Sequence, residues 1–102
     1  MTIRAAAFLL LAACGSGFEH AEIRVSGNCE MCREKIESSL KIPSIKKASW
    51  EPETGILEVD FDGNSISAGQ IRERIASAGY DTDSVRADSI AYSQLHECCR
   101  YR

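Results

Sequence analysis

His20-Ala21-Glu22-Ile23-Arg24-Val25-Ser26-Gly27-Asn28-Cys29-Glu30-Met31-Cys32-Arg33-Glu34-Lys35-Ile36-Glu37-Ser38-Ser39-Leu40 changes its period part-way. Up to Ser26 it alternates: Ile23 and Val25 point one way, Glu22 and Arg24 the other, the signature of a half-buried strand. Gly27-Asn28 breaks the strand. From Cys29 the spacing is helical, with Cys32, Ile36 and Leu40 on one face, and Pro43 stops the helix. Downstream, Ile45–Glu51 reads as a second strand. Pro52-Glu53-Thr54-Gly55 reads as a turn, and Leu57, Val59 and Phe61 mark a third strand paired with the second as a hairpin.

The second helix carries explicit start and stop signals. Ser67 and Gln70 form a capping box, Ile66 and Ile71 occupy the hydrophobic-staple positions, and Gly79 ends the helix. Tyr80–Val85 reads as a weaker fourth strand, and Asp88 caps a last short helix running to about Leu95. The order β-α-β-β-α-β predicts an α+β, ferredoxin-like sandwich with a short C-terminal helical extension. Its expected core is Ile23, Val25, Ile36, Leu40, Leu57, Val59, Phe61, Ile71 and Ile75.

Composition bounds the function. The chain has 102 residues, a normal 44% hydrophobic fraction and a net charge of -3. That is one domain, and it has no basic excess to neutralise phosphates, so nucleic acid is not an expected partner. Five cysteines are many for a domain with its own core, and they are unevenly placed: Cys14 alone, Cys29 with Cys32, Cys98 beside Cys99.

Residues 1–13 read as a signal peptide. Arg4 precedes an apolar run from Ala5 to Ala13, too short to span a bilayer. Leu11-Ala12-Ala13-Cys14 resembles a bacterial lipobox, which implies lipidation of Cys14 and an extracytoplasmic, membrane-anchored chain with residues 14–19 as tether. An ordinary secretory peptide, or the start of an amphiphilic helix, with Cys14 incidental is the competing reading.

Cys29 and Cys32 sit at i and i+3 on a first helical turn, where the positive end of the helix dipole favours thiolates. Two converging thiolates suit soft ions such as Cu(I), Hg(II), Cd(II) or Zn(II), although zinc prefers four ligands. A structural disulfide and thioredoxin-like redox chemistry are the rivals for this motif.

Residues 20–86 resemble the heavy-metal-associated domain, the unit found in copper chaperones, metal-pumping ATPases and periplasmic mercury-binding proteins. The resemblance rests on Cys29-Glu30-Met31-Cys32 after the first strand and on Ala78-Gly79-Tyr80 closing the second helix. It implies a metal site at Cys29 and Cys32, with Cu(I) or Hg(II) favoured, supported by a loop of Gly27, Asn28 and Tyr80. It also implies transfer to a transporter or efflux component, and no catalytic residues. Gly27 is a departure, because the family often places a loop-supporting methionine there. Met31 is read as exposed or packing, and Trp50 as packing.

Residues 87–102 form an extension in which His96, Cys98 and Cys99 offer three further ligand candidates. After a fourth strand the chain would stand at the end opposite the metal loop, so the tail is expected to fold back and complete a three- or four-coordinate thiolate site. Disulfides among the four thiols, a second ion, and a metal-bridged homodimer are the alternatives. A membrane-tethered thiol-disulfide oxidoreductase, with Cys29 as nucleophile and Cys32 as resolving thiol, is the alternative function.

Overall fold

The computed structural model describes residues 17–102, so the expected signal peptide over 1–13, the expected lipidation site Cys14 and the first part of the expected tether lie outside the described residues. The elements run β1 (Phe18–Arg24), α1 (Glu30–Ser38), β2 (Ile45–Glu51), β3 (Ile56–Asp62), α2 (Ala68–Ser77) and α3 (Ser89–Ser93), with a 3-10 turn at Glu97–Cys99. The sheet is antiparallel in the order β1-β3-β2, with Ile23 opposite Leu57 and Trp50 opposite Leu57 on its other side. Period-two alternation puts Ile23, Leu57, Val59, Phe61 and Trp50 on the face that meets the helices. There they join Ile36 and Leu40 from the α1 side and Ile71 and Ile75 from α2 in one buried cluster. Every residue of the expected core is buried, and Trp50, Tyr80, Leu95 and Cys99 are buried with them.

The local signals hold atom by atom. The Gln70 N–H donates to Ser67 Oγ at 3.1 Å, and the Ser67 N–H donates to Gln70 Oε1 at 2.9 Å. Ile66 and Ile71 are both buried beside this cap. Asp88 caps α3 by accepting from the Ala91 N–H at 2.9 Å. Gly55, with φ +75°, closes the β2–β3 turn in a conformation that disfavours a side chain.

The fourth strand is the correction. Residues 80–85 form no strand, and the ladder is reduced to one bridge, Val25 to Thr82. The reason is local polar chemistry. Thr82 Oγ1 accepts the Val85 N–H at 2.9 Å and the Thr82 N–H donates to the Val85 carbonyl at 2.8 Å, so the chain turns instead of extending. Asp81 Oδ1 captures the Ala87 N–H at 2.7 Å, and the Asp88 N–H returns to the Ala76 carbonyl at 3.0 Å. The chain therefore never travels to the far end of the sheet, and the tail begins next to α2. Among the described residues no helix is long and apolar enough to cross a membrane.

Candidate metal centre

Cys29 is the N-cap of α1, held at φ -155° and ψ 176°, so its side chain stands at the open end of the helix. Cys32, one turn on, is fully buried. Their sulfurs lie 3.7 Å apart. Asn28 explains how the inner thiol is held: Cys32 donates to Asn28 Oδ1 at 3.1 Å, and the Asn28 N–H points at Cys32 Sγ at 3.5 Å.

Gly27 is where the loop meets the core. A Cβ built there would stand 2.9 Å from Trp50 Cη2, 3.0 Å from Trp50 Cζ2 and 3.3 Å from Cys32 Cβ. The indole occupies the space beneath the loop. It is locked by its Nε1–H donating to the Val25 carbonyl at 3.1 Å, while the Trp50 N–H donates to the Glu37 carboxylate at 2.9 Å. Core support thus comes from Trp50, and Gly27 is the residue that lets so large a ring in. Sequence reasoning read Trp50 as packing but did not link it to the glycine, since the two are far apart in the chain.

The tail comes to the same place. Cys98 Sγ lies 3.8 Å from Cys29 Sγ, and the Cys29 thiol also reaches the Cys98 carbonyl at 3.6 Å. The ligand atoms of Cys29, Cys98 and Cys99 all fall within 4.8 Å of one another. Cys98 is exposed and Cys99 buried, and none of the four described cysteines is in a disulfide. Met31, 40% exposed, touches Cys98 with its sulfur at 3.8 Å. His96 is exposed, precedes the 3-10 turn, and stands outside the sulfur cluster. His20 pairs with Asp60 on the open sheet face, away from the thiols.

The residues that hold the tail carried no motif to announce them. Tyr101 Oη donates to the Gly79 carbonyl at 2.8 Å and accepts the Asp81 N–H at 2.8 Å. Its ring stacks on Tyr80 and meets Tyr92 edge-on. Arg102 pairs with Asp81 at 2.7 Å and lies over the Tyr92 ring. Leu95 is buried, and a Cβ on Gly79, already at φ +106°, would meet Leu95 Cδ2 at 3.2 Å and the Ala91 carbonyl at 3.1 Å.

The thiols differ electrostatically. The Cys32 backbone N–H is the main influence lowering the Cys29 pKa, opposed by burial and aided by the Cys32 and Cys98 side chains. Burial raises Cys98, with Cys29 adding to the rise. Burial pushes Cys99 up to about 12, with Cys32 contributing. The fully buried Tyr80 is raised by burial and then by the negative charge that Cys32 would carry, and its hydroxyl has no hydrogen-bond partner. A Cys29 thiol that ionises more easily than usual at the mouth, with Cys99 held protonated by burial behind it, suits uptake of a soft cation, which displaces the remaining protons on binding.

The heavy-metal-associated domain profile matches residues 22–81. The chain belongs to the heavy-metal-associated domain family. A copper chaperone, CopZ, of Staphylococcus haemolyticus is 36% identical over 61 residues, which are 58% of this chain and 90% of that one. A zinc-transporting ATPase of Synechocystis is 39% identical over 61 residues, but these are only 8% of its length. The solved structure of a CopZ metallochaperone superposes with a TM-score of 0.60 at 27% identity, covering 63% of this chain and 98% of that one. As a heavy-metal-associated domain, the chain keeps the family's paired cysteines and adds the tail beyond the matched residues.

Proposed function

We propose that this heavy-metal-associated domain captures a soft metal ion through Cys29 and Cys32 and passes it to a partner's thiolates. The observation that carries the reading is the 3.7 Å pair of sulfurs at an exposed helix start, one half-buried and one buried. Cu(I), Hg(II) and Zn(II) are the cargoes such a pair accepts, and the copper and zinc relatives support the first and last. No bond-making chemistry is needed. A partner sulfur adds to the ion from the open side of Cys29 as Cys29 releases it, so the ion is always held. Arg33, Glu30 and Glu37 form an ion-paired surface beside this mouth on which a metal transporter or efflux component can dock. The lipobox-like Leu11-Ala12-Ala13-Cys14 supports anchoring through Cys14 on the extracytoplasmic side of a bacterial membrane.

Competition of the reduced protein against chromophoric Cu(I) and Zn(II) chelators tests the metal reading. Stoichiometric capture by the wild type, with lower affinity in Cys29→Ser, is expected. A wild type that takes up neither ion nor Hg(II) overturns it. Mass analysis of the mature protein tests the anchor: a diacylglyceryl adduct on residue 14, absent from Cys14→Ala, is expected, and an unmodified Cys14 refutes it.

A further inference from the structure

The family match ends at residue 81, yet two thiols from residues 98 and 99 stand at the site. Sulfurs about 2.3 Å from a tetrahedral ion stand about 3.8 Å apart, whereas two sulfurs in line with the ion stand about 4.6 Å apart. The observed 3.7 Å between Cys29 and Cys32 and 3.8 Å between Cys29 and Cys98 lie close to that tetrahedral edge, and the Cys29, Cys98 and Cys99 sulfurs share one 4.8 Å neighbourhood that Cys32 joins through Cys29. Cys98 and Cys99 are not there by chance of a fraying end. Tyr101, Arg102 and Leu95 fasten the tail to Gly79, Tyr80 and Asp81 by hydrogen bonds, an ion pair and ring contacts. The partnerless Tyr80 hydroxyl, buried among these residues, is a donor suited to thiolate charge.

We propose that the C-terminal tail is a fixed arm of the metal site, bringing Cys98 and Cys99 to Cys29 and Cys32 around a single soft ion on one chain. The proposal rests on metal binding at Cys29 and Cys32 and adds the coordination number and the source of the extra ligands. Four thiolates suit Zn(II) or Cd(II), and three suit Hg(II) or Cu(I) held more tightly than a two-sulfur loop allows. A partner must then displace Cys98, the exposed member, before the ion moves on. The tail becomes the element that sets retention against release.

Cd(II) added to the reduced full-length chain is the test, read by sulfur-to-cadmium charge-transfer absorption, X-ray absorption and native mass spectrometry. One ion per chain with three or four sulfurs is expected. Cys98→Ser, at an exposed position, should lose one sulfur with unchanged circular dichroism. Its affinity should fall by more than the roughly 10- to 100-fold that loss of an outer-shell partner costs. The Cys98→Ser/Cys99→Ser variant should fall to two sulfurs. Two sulfurs and equal affinity in wild type and both variants overturn the tail's role and leave metal binding at Cys29 and Cys32 intact. An ion shared by two chains overturns the single-chain site. A wild type that takes up no Cd(II), Cu(I), Zn(II) or Hg(II) overturns the metal reading itself, and this proposal with it.

Discussion

Gly27→Ala in the presence and absence of Trp50 measures what supports the metal loop. In the wild type the new methyl group meets the indole at 2.9 and 3.0 Å and Cys32 Cβ at 3.3 Å. The ring is fully buried and held by its bond to Val25, so it cannot swing away. Overpacking of this kind costs about 1–3 kcal/mol. Against it, replacing glycine narrows the unfolded ensemble and returns about 0.4–1 kcal/mol where the native backbone suits alanine. Gly27 is not among the described glycines of positive φ, so that gain applies. The clash wins, and Gly27→Ala should destabilise by about 1 kcal/mol. In a Trp50→Leu background the ring is gone and the same change should stabilise by about 0.4–1 kcal/mol. Urea unfolding of the reduced, metal-free protein followed by circular dichroism reads both arms of the cycle. Changes that add to within about 0.5 kcal/mol would refute the argument, because residues in contact should couple and distant ones should not.

Three further outcomes follow from the same contacts. Tyr101→Phe removes the hydroxyl that bridges Gly79 and Asp81, so amide exchange across residues 95–102 should accelerate while β1 and β3 stay protected; uniform exchange would show that the tail is held by its rings alone. Ser67→Ala removes the cap of α2 and should cost about 1 kcal/mol in the urea midpoint; no loss would mean the Gln70 N–H is satisfied elsewhere. Cys99 has its folded pKa raised from 9.0 to about 12, so its contribution to the metal-free protein is complete below 9 and is lost as pH climbs toward 12; a urea midpoint that holds or rises over that window contradicts this.

Strands, helices and the paired cysteines were legible because their signals are short-range. Alternation at Ile23 and Val25, four-residue spacing through Cys32, Ile36 and Leu40, and the Ser67–Gln70 box each lie within one or two turns of chain. The expected strand at residues 80–85 failed for an equally local reason that pattern alone did not weigh: Thr82 and Asp81 satisfy their neighbours' N–H groups and make a turn cheaper than a ladder. The tail's return was anticipated from its thiols, but its route was not. It begins beside α2 because the fourth strand is missing, and it needs no crossing of the sheet.

The sequence by itself determined the order of elements, most of the core and the Cys29–Cys32 motif at a helix start. Those depend on periodicity, capping and spacing, all carried by neighbours in the chain. Only the tertiary structure decided that Trp50 fills the space beneath Gly27, that Tyr101 and Arg102 anchor the tail, and that Cys98 stands 3.8 Å from Cys29. Each joins residues more than twenty positions apart. Such pairs meet only when the core has packed, and nothing in either residue's local sequence names its partner.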